Sequence, residues 1–368
     1  MGGISRGESN LKSAIVSTYC EWSSMGSVLQ AQALQEALES IDVVSTVLRK
    51  SVPILFFRKE KILAVRTLKQ LLGIMLGCVD IPKKRVAAKK SEQYIRDNVR
   101  CINYSEYSEI ENECPEADIY IAGSDQIWHP NIDRRDFFLD YVPSGKKCIS
   151  YAASMGILDI GEEKKREFVA KLQRFAHISV REYEVRQLFR NEMQLNVVDV
   201  HIDPTFLRTA TAWRKYAKQR NICKPYILVY PIYWDNEANA ALKKLQKQTG
   251  YDVISIHSGI QNIYCTKQLK DVDPGEFLWL IDHAECVVTS SFHGVAFSII
   301  FNKKFSAVIN PKAPSRIQSI LKLLDINPPE IEKCASECSI NYEKVNELIE
   351  YEKVRSIDYL RSAVYDEK

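Results

Sequence analysis

Two serines and a histidine follow an apolar run in the second half of the sequence. Residues 286–289 are followed by Ser290, Ser291 and His293, and then by the small and apolar residues 294–297. This order predicts a strand that runs into a helix, where free backbone N–H groups and the helix dipole attract an anion. A histidine there can donate to a phosphate or act as a general acid, because its pKa lies nearest neutral pH. The segment alone leaves open the alternative of a capped helix with a packed histidine.

A second polar group ends an apolar run in the first half of the chain. The run 119–122 is followed by Gly123, Ser124, Asp125 and Gln126. Ligands of open α/β sheets bind beyond the carboxyl ends of the strands. The glycine would let the backbone approach a ligand, while the three polar side chains offer hydrogen-bond donors and acceptors. A helix N-cap role for the serine or the aspartate is an equally open alternative.

Three cations follow other predicted strands. Arg181 comes directly after the strand 178–180, where it can clamp a carboxylate or phosphate, or pair with a neighbouring acid. Lys312 and Arg316 lie in a proline-bounded loop after the run 305–309. Taken alone, these two are surface charges.

The elements that must position these residues alternate along the chain. Short β-branched runs alternate with segments whose apolar residues recur every three or four positions, a pattern typical of a parallel sheet covered by helices. The predicted strands are 14–18, 43–47, 119–122, 149–152, 178–180, 197–200, 226–230, 253–257, 286–289 and 305–309. The predicted helices start after Gly26 and at about Ser291, and cover 162–176, 182–195, 235–249, 274–283 and a closing C-terminal segment at 345–364.

The length of 368 residues is enough for about two domains. Because the strand series restarts at 226–230, we predict an N-terminal α/β domain at 1–207 and a C-terminal one at 208–368, which carries the closing helix. With 46% hydrophobic and 26% charged residues, the composition excludes disorder and low-complexity architecture.

The segment 53–100 has a different character. Between Lys50 and Arg100 there are 13 Lys and Arg against 4 Asp and Glu, interleaved with apolar residues. We therefore predict a helical insertion with a basic face. That face is either an ordinary solvated surface or a peripheral contact with an anionic membrane. Nucleic-acid binding is not expected, since no zinc-finger, RRM, KH or helix-turn-helix signature accompanies the charge.

The cysteines and the first residues of the sequence give predictions about metal binding and cellular location. Ten cysteines are scattered without any CxxC pair, which indicates buried thiols. Cys334 and Cys338 are four apart, but a second ligand pair is missing, so we predict no metal site. No apolar run is long enough to span a membrane and the first 12 residues are polar, which predicts a cytoplasmic protein.

Taken together, these motifs resemble the polysaccharide pyruvyl transferase family. The resemblance covers about residues 14–325, and its specificity comes from the order of several motifs. They are Gly123-Ser124-Asp125-Gln126-Ile127-Trp128, Ser150-Tyr151-Ala152-Ala153-Ser154-Met155-Gly156, Ser179-Val180-Arg181-Glu182, Asp203-Pro204-Thr205-Phe206-Leu207 and Ser290-Ser291-Phe292-His293-Gly294. The opening Met25-Gly26-Ser27-Val28-Leu29-Gln30 is also similar to the first loop and helix of that family.

The resemblance implies two Rossmann-like domains in a GT-B-like arrangement, with the active site between them. It implies transfer of the enolpyruvyl unit of phosphoenolpyruvate onto two hydroxyls of a sugar or lipid-linked oligosaccharide, without a cofactor. His293 would be the general acid or phosphate ligand, with Arg181, Lys312 and Arg316 holding the donor's negative charge. Gly26, Asp125 and Gln126 would face the cleft. If the acceptor is lipid-linked, the protein would act at the inner face of the membrane.

Two positions depart from the family pattern. Ser24 stands where the first loop often has Asn, and His129 stands where Asn usually follows the tryptophan. These departures concern the acceptor more than the fold; His129 is either a second titratable group in the cleft or a turn residue. Two other functions remain open, a nucleotide-sugar glycosyltransferase and a non-catalytic glycan-binding protein, because fold does not settle function.

Overall fold

The first half of the chain forms a parallel sheet. The computed structural model describes residues 11–51, 81–132, 134–195, 198–256, 263–311, 315–336 and 340–366. Among these, the first sheet has the order β3-β2-β1-β4-β5, and every neighbouring pair is parallel. Its strands are β1 (Lys12–Ser17), β2 (Val43–Lys50), β3 (Cys101–Tyr104), β4 (Ile119–Ala122) and β5 (Lys147–Ser150).

The second half repeats this arrangement. A second parallel sheet has the order β10-β9-β8-β11-β12. Strands β6 and β7 form a separate parallel pair, and along the chain they lie between the strands of the two larger sheets. These strands are β6 (Ile178–Val180), β7 (Val198–Val200), β8 (Tyr226–Tyr230), β9 (Asp252–Ile256), β10 (Lys267–Leu269), β11 (Cys286–Thr289) and β12 (Phe305–Ala307). The reversal of strand order at β1 and at β8 creates the crevices at which α/β proteins bind ligands.

Helices connect the strands. In chain order they are α1 (Met25–Glu39), α2 (Ile81–Asn98), α3 (Tyr107–Asn112), α4 (Glu162–Leu172), α5 (Tyr183–Gln187), α6 (Ala210–Arg214), α7 (Asn236–Thr249), α8 (Pro274–Asp282), α9 (Phe292–Ile300), α10 (Ser315–Leu323) and α11 (Tyr342–Tyr365). Short 3-10 helices lie at Arg135–Phe138, Pro204–Leu207 and Ile331–Lys333, and a π-helical turn at Leu188–Glu192 follows α5. No helix in the described parts of the chain is both long and apolar enough to cross a bilayer.

The predicted α/β class with two Rossmann-like units is confirmed. Several bounds were wrong. The predicted helix 182–195 is only α5 plus the π-helical turn, and the loop containing Arg316 is in part α10. Strands β3 and β10 were not predicted, because most of their residues are exposed or half-buried and the apolar signal is weak. The division into 1–207 and 208–368 stays a prediction.

The basic segment is helical where it is described. Helix α2 packs against the rest of the protein, because Lys90 donates to the carboxylate of Glu276 at 2.7 Å. Its side chains Lys83, Arg85 and Lys89 are exposed. Most of the predicted insertion, residues 53–80, lies outside the described residues.

The closing C-terminal helix is confirmed as α11, and it returns to the first sheet. The hydroxyl of Tyr359 donates to the carbonyl of Ser150 at 2.9 Å, and that of Tyr365 donates to the carbonyl of Ile41 at 2.9 Å. Helix α11 therefore ties the end of the chain to the first half.

Candidate active site

A buried carboxylate, Asp203, is the centre of the candidate site. Its Oδ2 accepts hydrogen bonds from Nη1 of Arg181 at 2.7 Å and from Oγ of Ser124 at 3.1 Å. Its Oδ1 accepts from the backbone N–H and the hydroxyl of Thr205, at 3.0 and 2.8 Å. Nε2 of His293 lies 3.9 Å from Oδ2. Residues from both halves of the chain thus meet at one carboxylate.

Local sequence explains how Asp203 is held. It is the N-cap of the 3-10 helix Pro204–Leu207, and proline in the first turn is pre-organised for a helical start. Burial alone would raise the pKa of Asp203, but the charges of His293 and Arg181 and the bonds from Thr205 outweigh it. The pKa lies below its usual value, so the carboxylate is ionised at neutral pH.

His293 is in the first turn of α9 and is 7% exposed. Burial lowers the pKa of its imidazole, opposed by the negative charges of Asp203 and Asp125 and assisted by the positive charges of Arg181 and Arg316. Its Nε2 has no hydrogen-bond partner among the described residues. The free site therefore holds a neutral imidazole with one nitrogen available to a ligand.

Arg181 is positioned on three sides. Its side chain is 4% exposed, and its Cζ lies 3.9 Å from the centre of the Phe292 ring. Nη1 bonds Asp203, and Nε lies 3.4 Å from Oε1 of Glu182. Nη2 is buried without a partner in the described chain, so one nitrogen of the guanidinium group remains for an anion.

Arg316, at the start of α10, is half-buried beside these residues. Burial lowers its pKa and the like charge of Arg181 adds to that effect, while Asp125 and Glu182 oppose it. Its Nε is also buried and unpartnered within the described part. Two guanidinium groups that repel each other, each with a free N–H, form a site that an anion would stabilise. Lys312, the third predicted cation, lies outside the described residues.

The polar turn after β4 borders the site, because Ser124 bonds to Asp203. Asp125 has a left-handed backbone (φ 70°), and its Oδ1 accepts from the N–H of Gln126 at 2.9 Å. The Gln126 side chain packs on Gly156, where a β-carbon would lie 1.9 Å from Nε2. A β-carbon on Gly123 would lie 2.7 Å from Cβ of Thr18. The absence of a side chain at Gly123 therefore serves packing against Thr18.

The predicted serines are engaged within the protein. Oγ of Ser290 accepts from the N–H groups of Ile232 and Tyr233, both at 2.9 Å, and donates to the carbonyl of Tyr233 at 2.6 Å. Ser291 is the N-cap of α9 and accepts from the N–H of Gly294 at 3.4 Å. Ser290 thus holds the loop after β8, and the capping alternative is confirmed for Ser291. Substrate contacts by either serine stay predictions.

Ser124 does not cap a helix. Its hydroxyl has two acceptors within hydrogen-bond distance, the carbonyl of Ala152 at 2.9 Å and Oδ2 of Asp203 at 3.1 Å. His129 is half-buried, and its Nδ1 accepts from the N–H of Asn131 at 3.2 Å, as expected for a turn residue. Burial and the charge of Arg316 lower the pKa of His129.

Two buried acids were missed as functional residues, although both stand in recognised motifs. The sequence analysis predicts no role for Asp203, nor for Glu182, the residue after Arg181. Glu182 is fully buried; its Oε1 accepts from Oγ of Ser154 at 2.5 Å, and its Oε2 is unpartnered among the described atoms. Burial raises the pKa of Glu182, although Arg181 and Ser154 act against this. The sequence signal that both share is a carboxylate within three residues of the end of a predicted strand, and Glu182 in addition follows a cation directly.

The described residues contain no cluster of three or more His, Cys, Asp or Glu side chains that could hold a metal ion. The described cysteines are free thiols, and those at 20, 148, 286 and 334 are buried.

Solved structures with a similar fold include two proteins named as UDP-N-acetylglucosamine 2-epimerases and a plant protein complexed with quercetin. A putative UDP-N-acetylglucosamine 2-epimerase from Listeria monocytogenes superposes with a TM-score of 0.52 at 10% identity, over 97% of this chain and 98% of the other. The UDP-GlcNAc 2-epimerase of Methanocaldococcus jannaschii gives 0.51 at 12% identity, over 92% and 91%. Arabidopsis thaliana UGT89C1, complexed with quercetin, gives 0.50 at 11% identity, over 96% and 99%. At these identities the likeness shows a shared GT-B fold alone.

Sequence comparisons give a more specific result. No curated protein sequence matches the chain. The family model described as polysaccharide pyruvyl transferase matches residues 25–311, a range that includes Gly26, Arg181, Asp203 and His293.

Proposed function

Because the chain belongs to the polysaccharide pyruvyl transferase family, we propose that it transfers the pyruvyl unit of phosphoenolpyruvate onto two hydroxyls of a glycan-precursor sugar. The products are a cyclic pyruvate ketal and inorganic phosphate. The observation that carries this proposal is the pair Arg181 and Arg316, two adjacent guanidinium groups with unpartnered nitrogens beside His293.

The donor matches this charge distribution. Phosphoenolpyruvate carries a carboxylate and a phosphate, and arginine binds both groups through paired N–H bonds. Nη2 of Arg181 and Nε of Arg316 are the nitrogens available for these bonds. An anion between the two cations would remove their mutual repulsion, which contributes to binding.

His293 would supply the proton that starts the reaction. The bound donor brings negative charge next to the imidazole and raises its pKa, so that it becomes an imidazolium. That proton moves to the methylene carbon of the donor, which leaves positive charge on C2 and the adjacent oxygen. Asp203, 3.9 Å from Nε2, stabilises the imidazolium and keeps Arg181 in place.

The remaining steps conserve protons. The first sugar hydroxyl attacks C2 and gives its proton back to the neutral His293. The C2–O bond to phosphate then breaks, with Arg181 and Arg316 stabilising the departing charge. The second hydroxyl attacks C2, and its proton leaves with the phosphate. Of the two hydroxyl protons, one returns to His293 and replaces the proton that His293 gave to the methyl group, and the other leaves with the phosphate.

The acceptor is proposed to be a sugar of a polysaccharide precursor, approached from the side of Asp125 and Gln126. The negative charge of Asp125 acts on His293 and Arg316, so the turn after β4 lies within electrostatic reach of the reacting atoms. With phosphoenolpyruvate as donor, we expect the protein to act in the cytoplasm.

The proposal is tested by phosphate release from phosphoenolpyruvate with a panel of sugar acceptors. In deuterated water, the ketal methyl group should take up one deuterium, since its third hydrogen comes from the enzyme. His293→Gln should reduce phosphate release by at least about a hundredfold, as expected for loss of a proton donor. The control His283→Gln alters an exposed histidine on α8's C-cap and should be neutral.

A thermal-shift panel together with a transfer assay decides between the two candidate donors, phosphoenolpyruvate and a nucleotide sugar. Phosphoenolpyruvate should raise the melting temperature, while nucleotide sugars without phosphoenolpyruvate should not support transfer. Glycosyl transfer from a nucleotide sugar, or full phosphate release by His293→Gln, would refute the assignment.

A further inference from the structure

Two cysteine thiols from distant parts of the sequence meet beside the first sheet. Cys20 lies in the loop after β1, and Cys101 is the first residue of β3. The two sulfur atoms are in hydrogen-bond contact, with the thiol of Cys20 as the donor. Both side chains belong to the core on the same face of the sheet. The fold therefore places two thiols close enough to react with each other.

The two thiols differ in their access to solvent. Cys20 is 1% exposed, whereas Cys101 is half-buried. Strand β3 is at the edge of its sheet, and the next residue, Ile102, is 37% exposed. A small oxidant in solution therefore reaches Cys101 before it reaches Cys20.

The surroundings make Cys101 the more acidic thiol. The hydrogen bond from Cys20 and the positive charge of Arg49 lower the pKa of Cys101, although burial and Glu92 act against them. Arg49 is fixed next to the pair, because its Nε donates to the carbonyl of Cys20 at 2.7 Å and its terminal nitrogens bond Glu92 at 2.9 and 2.5 Å. An accessible, acidic thiol with a second thiol beside it is the arrangement found in redox-sensing proteins.

We propose that Cys101 and Cys20 form a reversible redox pair that responds to peroxide. The thiolate of Cys101 attacks hydrogen peroxide and breaks its O–O bond, which gives a sulfenic acid and hydroxide. The sulfur of Cys20 then attacks the sulfur of Cys101, the S–O bond breaks, and the proton of Cys20 leaves with the departing oxygen as water. A reducing thiol restores both cysteines by thiol–disulfide exchange.

The position of Cys20 couples this chemistry to the start of α1. The sulfurs must approach from hydrogen-bond contact to bonding distance, while β3 is held by its pairing with β2. The loop of Cys20 must therefore move, and it continues into Ser24, the N-cap of α1, and Gly26, which contacts His293. The disulfide itself does not depend on the proposed function, whereas its expected effect on phosphate release does.

The test treats the reduced full chain with hydrogen peroxide, blocks the remaining thiols with iodoacetamide and maps the peptides by mass spectrometry. A peptide pair joined through Cys20 and Cys101 should appear, and dithiothreitol should remove it. Cys101 should react at least about tenfold faster than Cys223, because it has the more acidic thiol. Cys223 is the matched control, since it is exposed and bonds to the side chain of Asn221 instead of to a thiol.

Two variants separate the roles of the thiols. In Cys20→Ser the sulfenic acid should persist at Cys101, where dimedone traps it, because no second thiol removes it. In Cys101→Ser the buried Cys20 should stay reduced. Cys223→Ser should form the disulfide as the wild type does. Hydrogen–deuterium exchange at residues 24–28 should rise reversibly on oxidation of the wild type and stay unchanged in Cys101→Ser.

Three results would overturn the inference: no peptide pair joined through Cys20 and Cys101, reaction of Cys101 no faster than that of Cys223, and equal oxidation of Cys20 in the wild type and in Cys101→Ser. With the proposed function correct, peroxide should lower phosphate release of the wild type by about tenfold or more, as expected for a misplaced catalytic group. Unchanged release by the disulfide form would refute the coupling to α1. Failure of the proposed function differs, because the reduced protein then releases no phosphate while the disulfide still forms.

Discussion

Gly26 lies directly against the imidazole of His293, so that a β-carbon on Gly26 would be 2.1 Å from Nδ1 and 2.3 Å from Cγ. Gly26 stands in the first turn of α1, and His293 in the first turn of α9. The amino-terminal ends of α1 and α9, one helix from each half of the chain, thus meet at His293, the candidate general acid. The glycine is required by this contact, and it limits the positions that the imidazole can take.

Gly26→Ala should therefore displace His293 and reduce kcat for phosphate release by about tenfold or more, because a shifted proton donor loses its alignment. The melting temperature should fall as well, because the added carbon would also lie 2.7 Å from Cβ of the buried His293. The value of kcat is therefore compared at a temperature at which both proteins are folded. The control Gly161→Ala has open space around the added methyl group and should keep full activity. Wild-type kcat in Gly26→Ala would show that the imidazole position is not critical.

Asp203→Asn should move the alkaline limb of the rate profile to lower pH. Proton donation requires the imidazolium, so the rate falls as pH rises through the pKa of His293 in the complex. Asp203 and Asp125 raise that pKa, whereas Arg181 and Arg316 lower it. Removing the charge of Asp203 therefore lowers the pKa of His293. The measurement is kcat against pH for the wild type and the variant.

This variant also weakens the fold, because it removes the charge of the closer of the two carboxylates that pair with the buried Arg181, at a cost of up to about 3 to 5 kcal/mol. The position of the pH limb does not depend on the fraction of folded protein, so it separates a role in proton transfer from a structural one. Asp282→Asn, which removes a partner of Arg214 near the surface, is the control. An unmoved limb would contradict the pairing of Asp203 with His293.

The protein should lose stability on mild acidification because of His201. Its imidazole is 4% exposed, and burial together with the charge of Arg355 lowers its pKa to about 3. Since the unfolded chain has the higher pKa, about 6.5, it takes up the proton first. The contribution of His201 to the free energy of unfolding is complete above about pH 6.5. It is lost as the pH falls toward 3, and the full loss is about 5 kcal/mol.

Melting temperatures measured between pH 7.5 and 4 check this. His201→Gln should be less stable at neutral pH, where it loses the contact between Nδ1 and Oγ of Ser179 at 2.9 Å, but its melting temperature should depend less on pH. The exposed variant His283→Gln should retain the wild-type slope. An unchanged slope in His201→Gln would assign the acid sensitivity to other groups.

Exposed cations of α2 should contribute to binding of anionic membranes. We expect the combined change of Lys83, Arg85 and Lys89 to glutamine to reduce cosedimentation with vesicles containing anionic lipid, at roughly 1 kcal/mol per cation. Lys90 is left intact because it pairs with Glu276. Changing Lys243, Lys244 and Lys247 on α7 removes the same charge from a different surface and serves as control. Equal binding by both triple variants would contradict a specific role of α2.

Local sequence was sufficient for the central strands. The predicted strands 119–122, 226–230 and 286–289 coincide with β4, β8 and β11, because central strands of parallel sheets are buried on both faces and are continuously apolar. The edge strands β3 and β10 have no such run, because most of their residues are exposed or half-buried, whereas the edge strands β5 and β12 are largely buried and could be predicted. Likewise, the periodic apolar stripe predicts α1 and α11, whereas the short α10 has no predicted counterpart and only its first two residues fall in the predicted loop 310–316.

The sequence by itself determined the fold class, the family, and the candidate roles of Arg181 and His293, because these depend on local patterns and on the order of motifs. Only the tertiary structure decided how these residues cooperate. Asp203 joins Arg181 to His293, and Gly26 limits the imidazole, through contacts between residues 22 to 267 positions apart. Burial, which sets the pKa of each group, depends on the packing of both halves around the site and is not encoded in any single motif.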